Sequence, residues 1–176
     1  MGVYLQGLTM GLAYVAPIGL QNLFVINSAL THTRRRALLT ALIVIFFDVT
    51  LALACFFGVG AVMERYAWLQ MAILLVGSLI VIYIGVGLLR AKVAELEQSR
   101  AESSIRKTIS SACVVTWFNP QAIIDGTMML GAFHATLSGP EGITFITGVA
   151  SASCLWFTGV TLLISIFSNR FDAKIL

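Results

Sequence analysis

Two carboxylates stand where a charge is costly. Asp48 interrupts the apolar stretch VIFFDVTLAL, and Asp125 closes TWFNPQAIID; neither surrounding run holds a Lys, Arg or His. In a lipid-like environment an aspartate costs on the order of 2.5–3.5 kcal/mol at the centre of a helix. An acid with no basic neighbour there must be neutralised by a proton or by a cationic guest. Such residues face an interior and mark routes for protons, ions or substrates. The plainer alternative is an Asp held by Ser, Thr or Asn for packing.

Polar and irregular backbone accompanies both acids. In AYVAPIGLQN, Pro17 removes one amide donor and clashes with the carbonyl four residues back. Gly19 loosens the same turn, and Gln21 and Asn22 supply donors and acceptors beside it. In TWFNPQAIID, Asn119 precedes Pro120, and pre-proline sterics push it away from helical angles. Opened backbone of this kind is tolerated in a bilayer only where it lines a cavity or is buried in protein. The candidate substrate or ion site is therefore Pro17, Gly19, Gln21, Asn22, Asp48, Asn119, Pro120 and Asp125. A harmless kink is the competing explanation for each proline. Tyr14, Trp117 and Trp156 lie inside runs and could stack on a cation, although core packing accounts for them equally well. Ser151 and Ser153 line a path or allow close helix contact. Gly7 and Gly11 form a GxxxG pair suited to tight packing.

These residues need long apolar elements to carry them. Of 176 residues, 59% are hydrophobic and only 11% charged. A soluble domain carries roughly twice that charge. The chain therefore reads as an all-α integral membrane protein forming a single domain over residues 1–176. Five runs, at about 3–30, 37–63, 66–89, 108–133 and 142–169, reach the roughly 20 residues that a crossing takes. No Lys or Arg precedes the first run, which is too long for a signal core, so it is expected to stay in the protein.

Ten of the eleven Lys and Arg residues fall on one side, in the loop around 31–36, the loop 90–107 and the C-terminal stretch; Arg65 alone falls on the other. The positive-inside rule makes the first side cytoplasmic and puts the N-terminus outside. This sorting also explains the net charge of +3 without nucleic acid as a partner. Cys55, Cys113 and Cys154 show neither disulfide nor metal spacing and read as small buried hydrophobes. His32 and His134 read as loop residues. No cofactor or metal is expected.

Superposing Pro17 on Pro120 also pairs Tyr14 near Trp117 and Asn22 with Asp125. An odd number of crossings separates the copies, so the second enters upside down. Inverted repeats of this kind build many secondary transporters. The first repeat would span about 3–89 and an incomplete second one about 108–176.

With APIGLQN, Asp48, TWFNPQAIIDG and SASCLWFTG together, the chain resembles the LysE/RhtB-type amino acid exporters, most of all the branch that handles arginine and lysine. The resemblance runs from about residue 5 to about residue 168. It implies a transporter and not an enzyme: secondary-active export of basic L-amino acids across the bacterial inner membrane, coupled to protons or membrane potential, often as a homo-oligomer among lipids. It implies a six-helix, 3+3 pattern. Here the chain ends at SNRFDAKIL after the fifth run, so a last helix is expected to be missing, and a truncated, non-transporting remnant is the alternative. In the transport reading, Asp48, shared with Asp125, pairs with the substrate's side-chain cation. Gln21, Asn22 and Asn119 hold its α-amino and carboxylate groups. An intramembrane aspartyl protease is disfavoured by the absence of a GxGD context, and a channel by the absence of a filter-like loop.

Overall fold

The structure, a computed structural model, describes residues 2–58, 104–137 and 139–172, with isolated positions between 66 and 82. Within these residues every regular element is helical. In chain order they are α1 (Gly2–Val15), α2 (Leu20–Thr31), α3 (Arg34–Phe57), α4 (Ile105–Trp117), α5 (Pro120–Gly126), a π-helical stretch (Thr127–Gly131), α6 (Ala132–Thr136) and α7 (Pro140–Asp172). The run expected at 66–89, most of the loop at 90–107 and the last residues lie outside the described residues.

Among the described residues two helices are long and apolar enough to cross a bilayer: α3 over Arg34–Phe57 and α7 over Pro140–Phe167. The pair α1 and α2 makes a third candidate if taken as one bent span, its two arms meeting at 77°. The fourth run appears as α4 through α6, interrupted at Phe118 and Asn119. Both proline motifs therefore break their helices.

Boundaries differ from the sequence reading in two places. Arg34, Arg35 and Arg36 belong to the first turn of α3 and not to the preceding loop, because Thr33 adopts extended angles and its carbonyl accepts the Ala37 amide at 2.9 Å. At the other end α3 stops at Phe57, short of residue 63. Gly58 adopts φ 121°, a left-handed conformation that only glycine reaches without strain.

The core is a seam between α1 and α7, with α3 packed across it. Gly7, Gly11 and Gly148 bring the two backbones together. A Cβ on Gly7 would strike the Phe145 carbonyl, and one on Gly148 would strike the Tyr4 carbonyl and the Leu8 amide. The GxxxG expectation is met: small residues replace side chains with backbone contact. The two helices run in the same direction, since Gly7 meets Phe145 and Gly11 meets Val149 and Ala152. Helix α3 runs the opposite way, with Phe56 stacked on Phe145 at 5.7 Å near the start of α7.

At the opposite end Arg36 donates to Thr108 Oγ1 at 3.2 Å. That bond places the first turns of α3 and α4 together, with exposed Arg34, Arg35, Arg106 and Lys107 on one rim. Tyr14, Val25, Val44, Val149 and Phe157 fill the middle.

Candidate functional site

Asp48 is fully buried at mid-length of α3, 0% exposed. Its Oδ1 accepts from Gln21 Nε2 at 3.2 Å, and its Oδ2 accepts from Ser153 Oγ at 2.6 Å. Three elements thus meet on one carboxylate: the first turn of α2, the middle of α3 and the middle of α7. Both partners are neutral, so the bonds orient the charge without cancelling it.

The first break is built around Asn22. Once Pro17 and Gly19 stop α1 from continuing, the carbonyls at the break lose their helical donors. Asn22 Nδ2 donates to Val15 O at 2.9 Å and to Pro17 O at 2.7 Å, which uses both of its N–H groups. Its Oδ1 accepts from Trp156 Nε1 at 2.8 Å. Asn22 therefore holds the bend and ties it to α7, instead of presenting a free amide. The N-terminus of α2 has Gly19 at its cap and no side chain bonded there.

Ser153 and Trp156 are three residues apart on α7, and so share a face. One meets Asp48 and the other Asn22, while Gln21 and Asn22 adjoin on α2. The result is a pair of cross-links, one helical turn apart, between the bend and α7.

The second break is shorter. Asn119 sits at φ −92°, ψ 105°, as pre-proline geometry requires, and its Oδ1 accepts from Gln121 N at 3.2 Å to cap α5. Pro120 occupies the opening of α5, where its missing N–H costs nothing. This segment leans on the same helix as Asp48. Trp117 Nε1 donates to Thr50 Oγ1 at 3.3 Å, and the Cys55 thiol donates to Ile123 O at 3.9 Å.

One approach of the two broken segments is at Gly126. A Cβ there would lie 2.9 Å from Cys55 Sγ and 3.4 Å from Tyr14 Cε2. Tyr14 belongs to the last turn before the first break, so its ring packs beside the Gly126 backbone, beyond the second break. The π-helical stretch begins at the next residue.

Asp125 differs from the expectation of a buried acid. It is half-buried, and both of its oxygens accept from Gln121 Nε2 at 2.9 Å on an exposed side of α5. The i, i+4 spacing explains the pair: the helix puts the amide one turn below the acid. Asp125 neither bonds to Asp48 nor shares a partner with it among the described residues. The indole N–H groups of Trp117 and Trp156 are engaged by Thr50 and Asn22. Cys55 is buried, but Cys113 is half-buried and Cys154 exposed, contrary to the expectation for all three. His134 lies near the end of α6, exposed and next to the loop that follows, as expected, its ring edge-on to Phe56 at 5.0 Å. Among the described residues no group of three His, Cys, Asp or Glu stands close enough to hold a metal ion.

Among the described residues Asp48 is thus a buried acid with neutral partners, set between two broken apolar helices. The family model of the LysE type translocators matches residues 12–176. The chain belongs to that family. Its members are translocators, not enzymes, and the chain is accordingly a membrane transport protein. A protein named arginine exporter protein ArgO from Salmonella newport (strain SL254) is 33% identical over 171 residues, covering 95% of this chain and 80% of the relative. Another of that name from Enterobacter sp. (strain 638) is 32% identical over 174 residues, covering 97% of this chain and 82% of the relative. No solved structure matches the chain significantly.

Proposed function

We propose that this translocator exports basic L-amino acids, arginine foremost and lysine or close analogues with it, from the bacterial cytoplasm. The observation that carries the reading is Asp48: fully buried, mid-span, and bonded among the described residues only to the neutral Gln21 and Ser153. A buried acid of this kind calls for a positive partner, and a guanidinium or ammonium supplies the charge. The relatives named arginine exporters support the choice of substrate. Gln21, at the start of α2, is the neighbouring amide that can turn toward a substrate while Asn22 keeps the bend in shape. The substrate carboxylate is assigned to the amides of the first turn of α2, which lack a side-chain cap. Asn119 and Asp125 line the second half of the route.

One carboxylate can hold a proton or the substrate cation, not both. Exchange between them at the outer face makes export proton-coupled. Membrane potential, negative inside, opposes the exit of a cation by about 2.3 kcal/mol per charge at 100 mV, and inward movement of a proton offsets that. We place the rim carrying Arg34, Arg35, Arg106 and Lys107 in the cytoplasm, with the N-terminus outside. The two repeats rock about the central acid, opening it to each side in turn.

The test is efflux of labelled arginine from proteoliposomes under imposed pH and voltage gradients, together with resistance of expressing cells to canavanine. Saturable efflux driven by either gradient, and protection from canavanine, are expected. A protein that is folded and inserted but gives neither is the inert remnant, and the export reading is then abandoned.

A further inference from the structure

The described residues contain a buried hydroxyl that the site described above does not use. Tyr14 is 7% exposed, and its Oη has no hydrogen-bond partner among the described residues. A buried hydroxyl left this way is destabilising, since it loses its bond to water and gains none in return. Removing it would favour the fold, so its presence needs another reason.

The position of the ring supplies one. Tyr14 occupies the last turn of α1 before the first break, and its Cε2 edge faces Gly126 beyond the second break. It belongs to one buried cluster with Val44 and Ala52, which stand one turn to either side of Asp48 on the same face of α3, and it bonds to neither Asp48 nor Asp125. The hydroxyl is thus buried in the same interior as the Asp48 carboxylate, on an element that ends at the first break and lies beside the segment that follows the second. A group that bridges these oxygens must carry several N–H donors and positive charge. A guanidinium has five such donors in a planar fork and can satisfy a carboxylate and a phenol oxygen together.

We propose that Tyr14 is a ligand of the substrate's guanidinium, its phenol oxygen accepting an N–H from a group whose charge is held by Asp48. The inference rests on the export reading and names the residue that completes its cation subsite. It differs from ring stacking: the hydroxyl, and not only the π-face, is required.

Tyr14→Phe tests it, because the ring and its packing remain. The purified full-length chain is reconstituted, and arginine efflux is measured with and without agmatine, the guanidinium chain lacking a carboxylate, as competitor. The half-saturating arginine concentration should rise about 10-fold or more, the loss expected for a hydrogen bond to a charged group. The inhibitory concentration of agmatine should rise in parallel. The thermal midpoint of the ligand-free protein should stay unchanged or rise. An unchanged arginine dependence overturns the proposal. So does a weakened arginine dependence with agmatine as effective as before, which would move the hydroxyl to the carboxylate end, or a wild type that agmatine does not inhibit. A fall in the ligand-free midpoint overturns it as well, by making the hydroxyl structural. If wild-type protein shows no saturable arginine efflux, the export reading itself fails; a normal wild type with an unaffected variant removes the Tyr14 role alone.

Discussion

Ser153 donates to Asp48 across 2.6 Å, joining residues 105 positions apart in the chain. The bond fixes one carboxylate oxygen toward α7 and leaves the other to Gln21 on the bent arm. The acid is therefore shared between the element that bends and the long helix that does not. Any change in the angle between α2 and α7 must alter how Asp48 is solvated, and this is the coupling that an exporter of cations needs.

Asp48→Asn tests the charge apart from the shape. The amide is isosteric, keeps an acceptor for Ser153 or Gln21, and removes an uncompensated buried charge. Insertion and thermal stability should therefore be retained or improved. Arginine efflux should fall at least ~10-fold, since a neutral side chain forfeits the charge-assisted bond to the substrate. Wild-type efflux from this variant would remove Asp48 from the mechanism.

Asn22 and Gln21 are adjacent amides with different tasks, and the distinction can be measured. Asn22→Asp preserves size but removes donors from the Val15 and Pro17 carbonyls and sets a carboxylate against them. Each bond of this type is worth roughly 0.6–1.7 kcal/mol inside a membrane protein, and the unpaired charge adds to the loss. The variant should unfold in detergent at a midpoint several degrees below wild type, and below Gln21→Met, which gives up one bond to Asp48 and brings no second charge to it. Equal midpoints for the two variants would show that the bend does not depend on Asn22.

How much of this was legible in the residues depends on where the cause lies. Both breaks follow from proline chemistry, which is local, and Asn119 takes the extended angles that its successor imposes. Asp48 stands out because an acid in an apolar run has few reasons to be there. Its donors were not legible, because Ser153 reaches it only through the packing of α7 on α3. One signal existed: Ser153 and Trp156 are spaced for one helical face, so a polar partner of one implied a partner for the other. Gln21 and Asn22 could not be told apart in sequence, since a helix turns 100° between neighbours and only tertiary contacts say which faces inward. Cys154 was misjudged for a reason particular to lipid. A position facing acyl chains and one facing the core are both apolar, and composition alone does not separate them.

The glycine seam offers an internal control. Gly148→Ala places a methyl against the Tyr4 carbonyl and the Leu8 amide, both backbone and unable to swing aside. The α1–α7 contact must open, and the loss should exceed about 2 kcal/mol, in the range of overpacked cores. Gly159→Ala, on the same helix, meets nothing within 4 Å and should gain about 0.5–1 kcal/mol from helix propensity. Thermal unfolding of both variants in one detergent checks the pair. Equal behaviour would show that α1 and α7 do not pack backbone to backbone.

At Gly126 α5 rests on α3 with the Tyr14 ring beside it, and a double-mutant cycle can isolate the α5–α3 contact. Gly126→Ala sets a methyl 2.9 Å from Cys55 Sγ and 3.4 Å from the Tyr14 ring. Only the first distance is too short, so the strain falls on the thiol. Cys55→Ala removes the sulfur; the remaining Cys55 Cβ, at 3.3 Å, is tight but close to ordinary contact. Cys55→Ala alone leaves a small void and gives up weak bonds to Ile123 O and Thr127 Oγ1, a loss of about 1 kcal/mol. Gly126→Ala alone should cost about 1–3 kcal/mol, as overpacking does. If Gly126 meets Cys55 as the structure has it, the double variant should be more stable than the sum of the two losses by at least about 1 kcal/mol, the size of coupling seen between residues in contact. Additive losses would mean that α5 does not rest on α3 at this point, and the meeting of the two breaks at Tyr14 would lose its support with it.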